Sequence, residues 1–184
     1  MEKDKPRPKK SERIDLLKLR NHLDTLDLKK HDNLNFWLYC NIAMLTGLRS
    51  VDILKMKVKS IYFADRIAHI TEQKTGRKVD ARIHSQVLEK IDQQQEYVIW
   101  NKKYSTNVSL MTINRRLKKI FKDDNIAVSS HSIRKAVGRQ IYEKTHKDLP
   151  SAMQFLGHKN PTTTITYLEI DKDKLDKLYT LLEW

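Results

Sequence analysis

The sequence predicts an α+β domain that is mainly helical and carries one small three-stranded antiparallel sheet. Two patterns point to it. Apolar residues recur at helical spacing along most of the chain, as at Leu34, Trp37, Leu38, Ile42 and Leu45. Between residues 61 and 83 the period drops toward two: Ile61 and Phe63, then Ile67 and Ile70 more loosely, then Val79, Ala81 and Ile83 strictly. A length of 184 residues is one domain's worth and is enough to bury a core. The expected organisation is a flexible basic arm over residues 1–10, charged and with two prolines, followed by a single domain over 11–184.

Taken in order, Ser11 is the expected cap of a first helix bearing Ile14, Leu17 and Leu23. Asp32 is the expected cap of NLNFWLYCNIAML, which Gly47 stops, because glycine tolerates the left-handed conformation. Arg49 then stands at the start of a short helix, SVDILKM, where anions tend to bind. The three strands follow, with Thr75 and Gly76 turning between the last two and Lys74 at the hairpin tip. Ser85 is read as the cap of QVLEKIDQQQ, with Val87, Leu88 and Ile91 inward, and residues 97–108 as irregular. Thr112 is read as the cap of INRRLKKIFKDD, whose stripe of Ile113, Leu117, Ile120 and Phe121 faces the core. The other faces of that helix carry Arg115, Arg116, Lys118, Lys119 and Lys122. Such a run is usually a solvated face, but five cations without an acid before Asp123 also suit a path along a DNA backbone. His131 to Lys144 is helical with Ile133, Ala136, Val137 and Ile141 inward. Pro150 fits the first turn of the next helix, which ends at Gly157, and Asn160 with Pro161 opens another that carries Tyr167. A terminal amphipathic helix is expected over residues 172–184, with Leu175, Leu178, Tyr179 and Leu182 on one stripe.

Composition narrows the function classes. Thirty-six basic residues against 23 acidic ones give a net charge of +13, which favours a polyanionic partner: nucleic acid first, an anionic membrane surface second. The single cysteine, Cys40, excludes a disulfide framework and a Cys-rich zinc site within the chain and reads as a small core residue. No apolar run approaches the ~18 residues of a membrane span. No GxGxxG or P-loop supports nucleotide binding.

Residues 131–167 concentrate the chemistry. His131 and Arg134 lie at i and i+3 of one helix face, a spacing that lets both grip one phosphate. Leu156, Gly157 and His158 follow, and Tyr167 comes nine residues after His158. Arginine offers a fork of donors matched to phosphate oxygens, histidine moves protons near neutral pH, and an activated tyrosine hydroxyl is a nucleophile. Each residue alone has a blander reading: a capping histidine, an arginine paired with a carboxylate, a solvated lysine at a hairpin tip.

The order of these motifs resembles the catalytic domain of the tyrosine recombinases, the family of phage-type integrases and site-specific recombinases. The resemblance runs from about Asp32 to the C-terminus. It is carried by Thr46-Gly47-Leu48-Arg49 with Asp52 three residues on, by Lys74 in its turn, by the HxxR of His131 and Arg134, by the LGH ending at His158, and by Tyr167. It implies the helical catalytic fold of that family and a site of Arg49, Lys74, His131, Arg134, His158 and Tyr167. Arg49 and Arg134 clamp the non-bridging phosphate oxygens and match the charge of the transition state. His158 adds a hydrogen bond, and His131 accepts or orients the proton of Tyr167. Cations near the phenol are expected to favour its ionised form. By resemblance, Lys74 is the essential β-turn lysine that protonates the departing 5′ oxygen, and the product is a 3′-phosphotyrosyl link that a second strand's 5′-hydroxyl reverses. Tyr167 is preferred to Tyr179 because only it follows LGH at the family's spacing. No cofactor and no metal follow from this logic. The expected partner is double-stranded DNA, with self-association on it through residues 172–184, in the cytoplasm of a prokaryote or viral host cell at the nucleoid.

Two features depart from the family. Only some 30 residues precede the match, where relatives carry a separate DNA-binding domain, so the expectation is an excised catalytic domain or a minimal protein. Lys135 follows Arg134 where many relatives have histidine. Two other readings share the same residues: a catalytically silent DNA-binding relative, and a DNA-relaxing enzyme of the type IB topoisomerase kind.

Overall fold

Eight helices, a three-stranded sheet and a two-residue-strand hairpin make up residues 11–170, which are the residues described by the computed structural model. The arm expected over 1–10 and the helix expected over 172–184 lie outside them. The helices are α1 (Leu16–Asp24), α2 (His31–Thr46), α3 (Ser50–Leu54), α4 (Ser85–Leu88), α5 (Leu110–Ile120), α6 (Ser130–Lys144), α7 (Leu149–Leu156) and α8 (Pro161–Leu168). The strands β1 (Ile61–Tyr62), β2 (Ile67–Thr71) and β3 (Lys78–Arg82) pair antiparallel in that order. Ala68 opposite Ala81 places the small apolar residues of β2 and β3 in one register on the buried side. The fold is therefore the mainly helical α+β class that the periodicities predict.

Four helix starts differ from the sequence expectation. Two are set by an extended residue whose side chain reaches back to the first turn, and two have no side-chain cap. Asp15, not Ser11, does this for α1, accepting from the amides of Leu17 and Lys18, and Leu17 points to solvent rather than inward. Lys30 precedes α2, leaving Asp32 inside the first turn, where a carboxylate favours the helix dipole. His84 precedes α4, which is a single short turn. Ser109 caps α5 by accepting from the amide of Thr112, at 3.3 Å, so Thr112 lies inside the helix. Part of the segment read as irregular is also paired: β4 (Trp100–Asn101) and β5 (Thr106–Asn107) form a hairpin. Strands of two residues leave almost no periodic signal. Asn160 and Pro161 open α8, and Pro150 lies in the first turn of α7, both as predicted.

Helix α6 is the central element, packed on α2, α5, α7 and α8. Its apolar face is Ile133, Ala136 and Val137. Helix α2 is buried over most of its circumference, through Phe36, Leu38, Tyr39, Cys40, Ile42 and Ala43. At about 1.5–3 kcal/mol for each large apolar side chain removed from water, these two helices account for much of the driving force. Among the described residues no helix is long and apolar enough to cross a membrane.

Gly47 ends α2 at φ 59°, ψ 16°, and a Cβ there would stand 2.3 Å from the Phe155 ring of α7. The glycine thus lets the α2–α3 turn close onto α7. Gly47→Ala is expected to destabilise the chain by about 1–3 kcal/mol through left-handed strain and overpacking, read as a lowered urea midpoint at unchanged m.

Candidate active site

Arg134 lies on α6 and is 4% exposed. Its guanidinium donates through Nη1 to the Gly47 carbonyl and through Nη2 to the Leu156 carbonyl. One side chain thus ties the turn before Arg49 to the end of α7 just before His158. The two carbonyls also make burial of the guanidinium tolerable, since a buried charge must be hydrogen-bonded.

Arg49 caps α3 in extended backbone and pairs with Glu72, Nη1 to Oε1 2.8 Å. Glu72 is fully buried and also receives Arg77, through Nη2 at 3.0 Å and Nε at 3.3 Å, and the Thr75 hydroxyl. Burial alone would raise its pKa, but the bonds from Arg77 and Thr75 and the charges of Arg49 and Arg77 outweigh that and hold it low. Arg77 reaches on to the Gln154 carbonyl at 3.2 Å. It also lies flat over Gly157, where a Cβ would sit 2.3 Å from its Cζ; Gly157 is itself left-handed at φ 60°. Asp52 is buried on α3 and accepts from the Gln73 amide at 2.8 Å, fastening the β2–β3 turn to the Arg49 helix. Lys74 is exposed on that turn. Glu72 and Arg77 were absent from the sequence-derived set. Period-two alternation from Ala68 and Ile70 puts Glu72 on the buried face, a signal that could have found it.

His158 follows Gly157, with its Nδ1 3.1 Å from the buried Thr164 hydroxyl. With that hydroxyl as donor, Nδ1 accepts and Nε2 carries the ring proton. Partial burial, then the charges of Arg134 and Arg49, lower its pKa to about 4. Tyr167 stands edge-on to this imidazole, ring centroids 5.2 Å apart. Its hydroxyl is buried and makes no hydrogen bond of ordinary geometry. Burial raises the phenol's pKa; the charge of Arg134, its contact with the hydroxyl and the charge of Arg49 oppose this without reversing it. The two guanidiniums act in the direction expected, but desolvation of the anion outweighs them in the unliganded chain. His131, on the first turn of α6, has a lowered pKa from crowding by protein atoms and from Arg134, Lys135, Arg49 and Lys74 around it.

The structure places Arg134, His158 and Tyr167 close together, with Arg49 on the adjoining turn. Arg134 and Arg49 act on His131, His158 and Tyr167 alike, and Lys74 acts on His131. A cleft of about 550 Å³ opens on Arg49 and His158, lined also by Thr75, Arg77 and Gly157, while His131 and Tyr167 line separate grooves. The basic residues of α5 and of the turn after it divide. Lys118 and Lys122 line a groove with His131. Arg115 and Lys119 line a different groove with Lys18, His22 and Lys30. Arg116 is held structurally: it donates to the Asp32 carbonyl at 2.7 Å and to Asn33 Oδ1 at 2.8 Å, and lies 4.4 Å over the Phe36 ring.

Residues 14–174 match the profile of the phage integrase family. The chain is 27% identical over 141 residues to the probable integrase/recombinase YoeC of Bacillus subtilis strain 168, covering 73% of this chain and 77% of that protein. Among solved structures it resembles XerA recombinase, with a TM-score of 0.67 at 14% identity over 96% of this chain and 67% of that one. It resembles XerH recombinase bound to its palindromic difH substrate after cleavage, with a TM-score of 0.70 at 17% identity, 96% of this chain and 54% of that one. It also resembles a lambda integrase dimer bound to a COC′ core site, with a TM-score of 0.62 at 22% identity, 85% of this chain and 59% of that one. At these identities the structural matches establish the shared fold, and the chain spans about half the length of XerH.

His158 binds a proton only near pH 4 in the folded chain but near its ordinary value of 6.5 when unfolded. As pH falls below about 6.5 the unfolded chain protonates first, so stability is lost between about 6.5 and 4. His22, His31 and His131 are shifted the same way. Melting temperatures across this range are expected to fall for the wild type and to fall less steeply for His158→Gln.

Proposed function

This chain belongs to the phage integrase family, and we propose that it cuts and rejoins DNA strands by transesterification on Tyr167. The observation that carries the proposal is the buried Tyr167 hydroxyl, within reach of the Arg134 guanidinium and in the field of Arg49. A phosphodiester resists attack because its charge repels nucleophiles and its alkoxide leaves poorly. Arg134 and Arg49 meet the first difficulty by holding the non-bridging oxygens, in a site where burial strengthens each interaction. Fixed to Gly47 and Leu156, Arg134 needs no rearrangement as charge develops. His158, neutral and anchored through Nδ1, donates from Nε2 to the same oxygens.

The Tyr167 oxygen attacks phosphorus while the bond from phosphorus to the 5′ oxygen breaks. The phenol proton passes to His131, whose lowered pKa keeps it a neutral acceptor at neutral pH. Lys74, on a turn tethered by Asp52, gives a proton to the departing 5′ oxygen. The 3′-phosphotyrosyl link keeps the bond energy, and a 5′-hydroxyl from another strand reverses the step. The partner is duplex DNA, reached in the cytoplasm at the nucleoid. Lys118 and Lys122 track its backbone on the His131 side. Lambda integrase was solved as a dimer on its core site; we extend self-association on DNA to this chain, through residues 172–184.

With a nicked suicide substrate, the wild type is expected to form a denaturation-resistant protein–DNA adduct, and Tyr167→Phe to bind the same DNA without forming one. An adduct in the variant refutes the nucleophile. No adduct in the wild type, with binding intact, leaves a silent DNA-binding relative, and relaxation of supercoils at any sequence marks a topoisomerase-like enzyme. Replacing Lys118 and Lys122 together by alanine is expected to weaken binding to all sequences alike and to reduce the slope of log affinity against log salt by about 2.

A further inference from the structure

Lys135 is the least explained residue of the central helix. It is 2% exposed, next to Arg134, and a buried ammonium requires partners. Its Nζ donates to Glu169 Oε1 at 2.9 Å and to the Ser11 carbonyl at 2.6 Å, and lies 5.6 Å from the centre of the Tyr167 ring. Glu169 is the cap of α8, two residues past Tyr167, in the left-handed region at φ 55°. A non-glycine residue there costs about 1 kcal/mol or more and persists only when its surroundings hold it. Lys135 supplies that hold, with Arg13 beside it, 3.5 Å from the other Glu169 oxygen. Ser11 belongs to a segment that is itself pinned: the Glu12 amide donates to the Ala127 carbonyl at 2.8 Å, and Glu12 Oε1 accepts from the Ala127 amide at 3.0 Å.

Consecutive residues of α6 thus grip the two reacting partners. Arg134 reaches the turn before Arg49 and the LGH segment; Lys135 reaches the end of the helix that carries Tyr167. The Tyr167 hydroxyl is buried within reach of the Arg134 guanidinium, and the placement of α8 sets where its oxygen lies. Asn160 fastens one end of α8, accepting from the Thr162 amide at 2.8 Å, and the Lys135–Glu169 pair fastens the other. We propose that Lys135 is a positioning residue for the nucleophile, acting on Tyr167 through Glu169 and through the segment at Ser11. This rests on Tyr167 being the nucleophile, and it separates Lys135 from the groups that touch the phosphate.

The test uses the whole chain and a nicked suicide substrate. Lys135→Met and, as a surface change that spares the core, Glu169→Gln are each expected to slow single-turnover adduct formation roughly 10- to 100-fold, as small misplacements do, with DNA affinity unchanged. Lys135→Arg restores part of the rate. The discriminating measurement is made in the Tyr167→Phe background with hydrogen peroxide as the external nucleophile. Its anion attacks the same phosphorus and expels the same 5′ oxygen without using α8. There, adding Lys135→Met is expected to change cleavage by less than about twofold. An equal loss with peroxide means that Lys135 supports the whole site, and unchanged adduct rates in both single variants mean that it supports nothing; either overturns the proposal. A wild type that forms no adduct overturns the reading of Tyr167 itself, and this inference with it.

Discussion

The site depends first on a buried guanidinium shared between two backbone carbonyls. Arg134 is bonded to Gly47 and Leu156, which are 87 and 22 positions away in sequence. Without it, the turn that presents Arg49 and the segment that presents His158 would have no common reference. Both carbonyls need partners because both lie in the interior, and Arg134 needs acceptors because it is charged there. Each requirement satisfies the other, so a group whose chemistry suits an anion also organises the fold around itself.

Two buried carboxylates do the corresponding work for the remaining cations. Glu72 aligns Arg49 and Arg77, and Asp52 secures the turn that bears Lys74. The glycines on either side make room: Gly47 lets Phe155 approach, and Gly157 lets Arg77 lie across the backbone. The cluster is therefore layered, with groups facing the cleft held by acids behind them, an arrangement that keeps long side chains in place before any ligand arrives.

Burial also sets the resting protonation. His131 and His158 are kept neutral and Tyr167 is kept a phenol, because crowding by protein and neighbouring cations disfavour added positive charge while desolvation disfavours the phenolate. In the proposed reaction, a tyrosine that stays protonated beside two arginines would be a nucleophile held in reserve.

Much of this was legible without coordinates. Alternation and helical spacing identified the fold class, and the punctuation of α7 and α8 by Pro150, Gly157, Asn160 and Pro161 is local chemistry that needs no tertiary context. The order of TGLR, HxxR, LGH and Tyr167 pointed to one family and one set of six residues. The starts of α1, α2, α4 and α5 were misplaced because several polar residues compete to cap and packing chooses among them. What only the tertiary structure decided is which charges are buried and what they face. Arg77 and Lys135 look like ordinary surface charges in the sequence, and Arg116 like its exposed neighbours. Long-range packing encloses Glu72 and Lys135 and turns Arg116 onto Phe36. Local sequence sets periodicity and caps; the energy of an ion depends on everything brought within a few ångströms of it, and only the folded chain specifies that.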